Sequence, residues 1–151
     1  MRKMLVAVDG SEYSLAAVKA AAKLAAEQGI KRVTLLNVIP VTYTTMGAVP
    51  AAAPPEDLEA WEVFDQPKEI LKAAGVEPLL LLREGDPAEE IVQAAKEGEF
   101  DLIVMGHRGL SPVKAFLLGS VSNRVVAHAP CSVLVVRPGL ENNPSKGGTG
   151  L

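Results

Sequence analysis

Soft metal ligands are scarce in this chain. Of its 151 residues, one is cysteine and two are histidine, too few for a zinc site of the Cys/His kind, although a carboxylate-held magnesium is left open. Cys131 has no second cysteine for an internal disulfide, so a reducing, cytoplasmic compartment is the expectation. No apolar run reaches the roughly 18 residues that a membrane-spanning helix needs. The opening residues, Met1 to Asp9, lack the long apolar stretch and small-residue cleavage site of a signal peptide. Positive charge is not in excess either: 15 basic residues face 18 acidic ones, a net charge of −3. That balance argues against a general binder of nucleic acid or acidic membranes. Disorder of the whole chain is excluded by a hydrophobic content of 48%, and the length fits one domain able to bury a core without staples.

What is present is an alternation of apolar runs and helical segments. Met4-Leu5-Val6-Ala7-Val8 is a near-continuous apolar run of the kind that forms a parallel strand buried on both faces. Ser11 is placed to cap a helix running to about Gln28, rich in alanine and closed by Gly29. Residues 32–39 read as a second strand, followed by a helical region from about Glu56 to Gly75 in which Pro67 predicts a kink or two short helices. Leu79 to Leu82 read as a third strand, and Pro78 at its start predicts a sheet edge. Asp86-Pro87-Ala88-Glu89 is a helix start with a cap, a proline at the first helical position and a capping box. Phe100 to Met105 read as a fourth strand, residues near Val121 to His128 as a helix, and Cys131 to Val136 as a fifth strand. The fold class expected is α/β: an open, five-stranded parallel sheet with helices on both faces. Residues 1–137 form the domain, and 138–151, rich in Gly, Pro and Asn, form a flexible tail. The uncharged stretch 41–55 reads either as a plain connector or as a lid or partner contact.

In open parallel sheets, ligands bind at the carboxyl ends of the strands where the strand order reverses, which directs attention to the loops after strands one and four. The fourth-strand loop runs from Gly106 to Ser120 with the spacing G-x2-G-x9-G-S. Glycines permit positive φ and close backbone approach, a run of their amides makes an anion-binding nest, and Gly119-Ser120 then opens a helix whose first amides attract phosphate. From Asp101 to Glu141 no acid intervenes, while Arg108, Lys114, Arg124 and Arg137 fall inside the interval. Arg124 and Arg137 read as solvated surface; Arg108 and Lys114 read equally well as surface or as phosphate ligands. Across from this loop, Asp9-Gly10-Ser11 follows strand one. Asp9 is a candidate for ribose hydroxyls or for magnesium through water, and Ser11 reads as the helix cap. His107 could act as a base, but a lone loop histidine reads better as a solvated contact. Trp61, Phe64 and Phe116 read as packing residues, and Tyr43 is the aromatic to test against a base.

These segments resemble the ATP-binding branch of the universal stress protein family, over nearly all of residues 3 to 137. The resemblance is carried by Val6-Ala7-Val8-Asp9-Gly10-Ser11, by Leu36-Asn37-Val38-Ile39-Pro40, by the whole loop from Gly106 to Ser120, and by Ala129 to Arg137. It implies a strand order of 3-2-1-4-5, with ATP as the ligand, ADP or AMP as alternatives, and Mg as the accompanying ion. The nucleotide-binding residues so implied are Asp9, Gly10 and Ser11; Val38, through its backbone to adenine, and Pro40; and Met105, Gly106, His107, Arg108, Gly109, Gly119, Ser120, Val121 and Ser122. Asp9 is the implied Mg contact. A homodimer through Val133, Leu134, Val135 and Val136 is implied as well, since an uncovered edge strand invites association. The Pro67 break and the bare 41–55 loop depart from the long helix expected after strand two.

Three functions follow in order of preference. The first is a nucleotide-binding regulator whose occupancy alters its dimer or partner state. The second is a weak ATPase or autophosphorylating enzyme, against which stands the lack of a Walker A lysine-serine pair. The third is a dimeric scaffold that binds no nucleotide. A receiver domain and a dinucleotide-binding fold both fit worse. The first lacks paired acids after strand one and an acceptor aspartate after strand three; the second lacks G-x-G-x-x-G after strand one.

Overall fold

A computed structural model describes residues 3–41, 58–109 and 118–139. The elements are β1 (Met4–Ala7), α1 (Glu12–Gln28), β2 (Arg32–Ile39), α2 (Leu58–Glu62), α3 (Asp65–Ala73), β3 (Glu77–Glu84), α4 (Pro87–Glu97), β4 (Leu102–Gly106), α5 (Ser120–His128) and β5 (Ser132–Val136). All five strands are parallel, in the order β3-β2-β1-β4-β5. The expected fold class and order are therefore met. Most of the 41–55 stretch, the bulk of the glycine loop at 110–117 and the tail from 140 lie outside the described residues.

Strand alternation divides the core in two. Met4, Val6, Val33, Leu35 and Val104 face one side, where they pack with Val18, Ala21 and Ala25 of α1 and Phe64 and Leu71 of the α2–α3 region. Leu5, Leu36, Ile103 and Met105 face the other, against Ala88, Ile91 and Ala95 of α4 and Val125 of α5. Alanines line the buried stripe of α1, which lets that helix lie close to the sheet.

Most of the local signals are met. Ser11 caps α1, its Oγ accepting the Ser14 N–H at 3.1 Å, and Gly29 closes the helix at φ +69°. Pro67 falls in the first turn of α3, where its missing N–H leaves no bond unmade, so the break produces two helices. Asp86 accepts the Glu89 N–H at 3.0 Å. The Glu89 carboxylate, expected to return the bond to the cap, instead lies 3.8 Å from Arg124. β3 is longer than its leucine run and does form an edge. The stop after α4 differs in mechanism: Gly98 keeps φ −87°, and Glu99 takes the left-handed conformation at φ +53°. Gly98 is needed for space, because a Cβ there would lie 2.4 Å from the Phe100 ring.

Gly106 has the same role at the center of the molecule. A Cβ at this position would sit 2.7 Å from the Tyr13 carbonyl oxygen of α1. Gly106→Ala should therefore push α1 off β4 and cost about 1–3 kcal/mol, as overpacking does. Urea denaturation checks this; an unchanged midpoint would mean that the helix–strand contact is slack.

Candidate functional site

The chain order turns back between β1 and β4, which are neighbors in the sheet with Val6 opposite Val104. Both strands end at the same level, and the turns that follow them face each other across the crevice that this topology creates. On the β1 side, Gly10 takes φ +88°. The Asp9 Oδ1 accepts the Ser11 N–H at 2.9 Å and the Ser11 hydroxyl at 2.5 Å. These two bonds pin a short side chain, and they turn Oδ2 toward the other loop. A Cβ on Gly109 would lie 2.6 Å from that oxygen. Asp9 thus meets the glycine loop as the sequence led us to expect.

The loop glycines act through proximity. Among the described residues the glycines at positive φ are Gly10, Gly29, Gly75, Gly85 and Gly139, so Gly106, Gly109 and Gly119 are not needed for left-handed backbone. A Cβ on Gly119 would come within 3.2 Å of the Arg108 Cα. The Gly119 N–H donates to the His107 carbonyl at 2.7 Å, and the His107 N–H donates to the Val136 carbonyl at 3.0 Å. These two amides hold the loop to its surroundings. At the start of α5, Gly119 is the cap residue, no side chain caps the helix, and its first turn holds no acid. The first-turn amides keep the partial positive charge of a helix N-terminus.

The remaining site residues fall into distinct places. Ser120 is exposed at the helix start. Ser122 is buried and donates its hydroxyl to the Gly106 carbonyl at 2.9 Å, tying α5 to β4. Met105 belongs to the core, and Val121 packs against the same apolar cluster. Val38 is half-buried near the end of β2. The last rung from the β1 side is the Val8 N–H to the Leu36 carbonyl at 2.8 Å. Alternation along the strand turns the Val38 peptide groups to the same side, one rung further on. Pro40 is exposed beyond it. Lys114, Phe116 and Tyr43 lie outside the described residues.

His107 corrects its reading as a solvated contact: it is only 4% exposed. Its ring stands edge-on to Tyr13 with centroids 5.2 Å apart, and Nε2 accepts the Arg108 Nε–H at 3.1 Å. Burial, then Arg108 and Arg137, hold its pKa below the ordinary 6.5. The Arg108 guanidinium in turn lies 4.9 Å over the Tyr13 ring. Tyr13 was missed by sequence reasoning. Its signal is positional: it shares a face with Ala17 and Ala21 at helical spacing, both fully buried. Arg124 is neither phosphate ligand nor plain solvated surface, because its guanidinium pairs with Asp86 at 3.0 Å and 3.1 Å and bridges α5 to α4. That hydrogen bond, with the Glu89 N–H, holds the Asp86 carboxyl below its usual range.

No group of three or more His, Cys, Asp or Glu is gathered for a metal among the described residues. No described helix is long and apolar enough to cross a membrane.

Comparison with known proteins agrees with this architecture. A profile of the universal stress protein family matches residues 1–137. Universal stress protein YxiE of Bacillus subtilis is 37% identical over 145 residues, covering 89% of this chain and 98% of that protein. Among solved structures, universal stress protein UspA from Lactobacillus plantarum has a TM-score of 0.75 at 27% identity, covering 90% of this chain and 97% of its own. A universal stress protein in complex with cAMP has a TM-score of 0.69 at 28% identity, covering 90% and 96%.

The buried imidazole has a consequence for stability. Because its folded pKa is depressed, the unfolded chain binds this proton more readily. The stabilization is complete above about pH 6.5 and is lost as pH falls through the folded pKa. Urea midpoints from pH 7.5 to 5 should decline on the acid side, and His107→Gln should make that decline shallower. An unaltered slope would assign the acid sensitivity to other groups.

Proposed function

The chain belongs to the universal stress protein family, and we propose that within it this protein is an adenine-nucleotide-binding regulator that works as a homodimer. The observation that carries the proposal is the uncapped start of α5 together with the approach of Gly109 to Asp9, where a Cβ would lie 2.6 Å from the carboxylate oxygen. In this reading the α- to γ-phosphates of ATP, or the shorter chains of ADP or AMP, rest on the amides of Ser120 and Val121 and on the Arg108–Gly109 segment. Gly106 and Gly119 provide room, and Ser122 holds the helix in place. Asp9, Gly10 and Ser11 stand at the ribose side, and the Val38 peptide with Pro40 beyond it frames the base. The cAMP held by a family member of the same fold supports the nucleotide class.

Magnesium fits this site in a limited way. It is commonly bound by one or two carboxylates together with substrate phosphates, and Asp9 Oδ2 is a carboxylate oxygen facing the loop while Oδ1 is held by Ser11. The ion would neutralize phosphate charge beside Asp9, which would otherwise repel it. An ATPase or autokinase has less support. The His107 Nε2 is engaged by Arg108, and the Ser122 hydroxyl is committed to the Gly106 carbonyl.

Calorimetric titration with MgATP tests the site. Gly109→Val should weaken binding by about tenfold or more, because its side chain would meet the pinned Asp9 carboxylate. Ser120→Asp separates folding from binding: it should stabilize α5 by about 0.3–1 kcal/mol through the helix dipole while repelling phosphate. Native affinity in both variants would refute the loop assignment.

The dimer is proposed at β5, which pairs with β4 on one side and forms the sheet edge on the other. Leu134 there is 38% exposed, and an apolar edge strand invites pairing with a second copy. Leu134→Glu should shift the mass measured by light scattering from dimer to monomer. A monomeric parent protein would refute this interface.

A further inference from the structure

We infer that His107 is a proton-operated latch on Arg108: the neutral imidazole holds the guanidinium over Tyr13, and the protonated ring lets it go. Three contacts close a triangle. Arg108 Nε–H donates to His107 Nε2 at 3.1 Å, the guanidinium carbon stands 4.9 Å from the Tyr13 ring centroid, and the Tyr13 and His107 rings meet edge-on at an interplanar angle of 84°.

The tautomer follows from the first contact. A nitrogen that accepts a hydrogen bond carries no proton, so in the neutral ring the proton sits on Nδ1. Nδ1 is buried without a hydrogen-bond partner among the described residues. A second proton must therefore enter at Nε2. It would place an N–H against the Arg108 N–H and one positive charge against another at hydrogen-bond distance. On balance the surroundings oppose the charged ring, although the nearby Val136 backbone favors it. Arg108 stands on its own loop and Arg137 follows β5, and both oppose a positive ring, as does burial. Tyr13 of α1 presents its ring to it. Asp9, beyond β1, approaches Gly109. The His107 backbone is held by Val136 and Gly119, so the long Arg108 side chain is the part that yields.

The consequence for ligands rests on reading the crevice as a phosphate site. Protonation adds positive charge beside the loop and removes the imidazole's hold on the guanidinium next to Gly109, so affinity for a polyphosphate rises as pH falls. The latch itself can be tested without a ligand.

In the full chain, NMR of the His107 ring carbons and the Arg108 Nε–H from pH 8 to 5 should show both moving with one midpoint, below the ordinary value for histidine. Arg108→Gln should raise the His107 midpoint by about half a pH unit or more. Arg108→Lys, which keeps the charge, should leave the midpoint depressed. An Arg108 resonance that stays fixed while His107 titrates, or an Arg108→Gln midpoint equal to wild type, would overturn the latch. For the consequence, inorganic tripolyphosphate and ATP are titrated at pH 7.5 and 6.0. Wild type should gain at least about threefold more affinity across this interval than His107→Gln, the protonation of the probe being common to both. An equal gain in both proteins would overturn the link to phosphate. If neither ligand binds at either pH while the NMR coupling holds, the latch stands and the nucleotide reading falls.

Discussion

The close seating of the β4 end against the β1–α1 turn is the constraint on which the site depends. Gly106 lies so near the Tyr13 backbone that even a methyl group would collide, and three residues on, Gly109 approaches the Asp9 carboxylate equally closely. The first contact joins the end of β4 to α1 and the second joins the two loops at the topological switch, so the same packing that seats α1 on the sheet also brings the acid of one loop to the glycine of the other. A looser fit would leave two unrelated turns on a surface. Here the core and the crevice are parts of one arrangement, because the helix that buries the sheet also sets the distance across the site.

That arrangement also reconciles the net negative charge of the chain with the anion site proposed for it. The needed positive potential is local. It comes from the uncapped start of α5 and from Arg108, within a segment that contains no acid between Asp101 and Glu141. Arg124, which belongs to the same segment, is drawn away by Asp86. Its charge ties α5 to α4 and so supports the helix whose amides face the crevice. Ser122 does related work from inside, by bonding to the last residue of β4. Helix α5 is thus held at two points, to the start of α4 and to the end of β4.

His107 and Tyr13 place a second layer beneath the loop. A buried imidazole with one nitrogen accepting from arginine and the other without a hydrogen-bond partner among the described residues is an unusual arrangement for a core histidine, since buried polar atoms are nearly always bonded. Its hydrogen bond with Arg108 is the contact on which the proposed latch turns.

Much of the fold was legible in the chain because it rests on local chemistry. The apolar runs of β1, β2 and β4, the Ser11 and Asp86 caps, the stop at Gly29 and the break at Pro67 each depend on residues a few positions apart. The spacing from Gly106 to Ser120 likewise marked the loop, and Asp9 its opposite wall. What only the tertiary structure decided are the relations between distant segments. That Gly106 and Gly109 serve space and not left-handed backbone depends on Tyr13 and Asp9, about a hundred residues earlier in the chain. The burial of His107 depends on α1 and β5 closing over it, and the pairing of Arg124 with Asp86 on two helices lying side by side. A sequence states which conformations and charges each residue brings. Which of them meet is set by long-range packing, where a contact of a few ångströms joins positions that no local pattern connects.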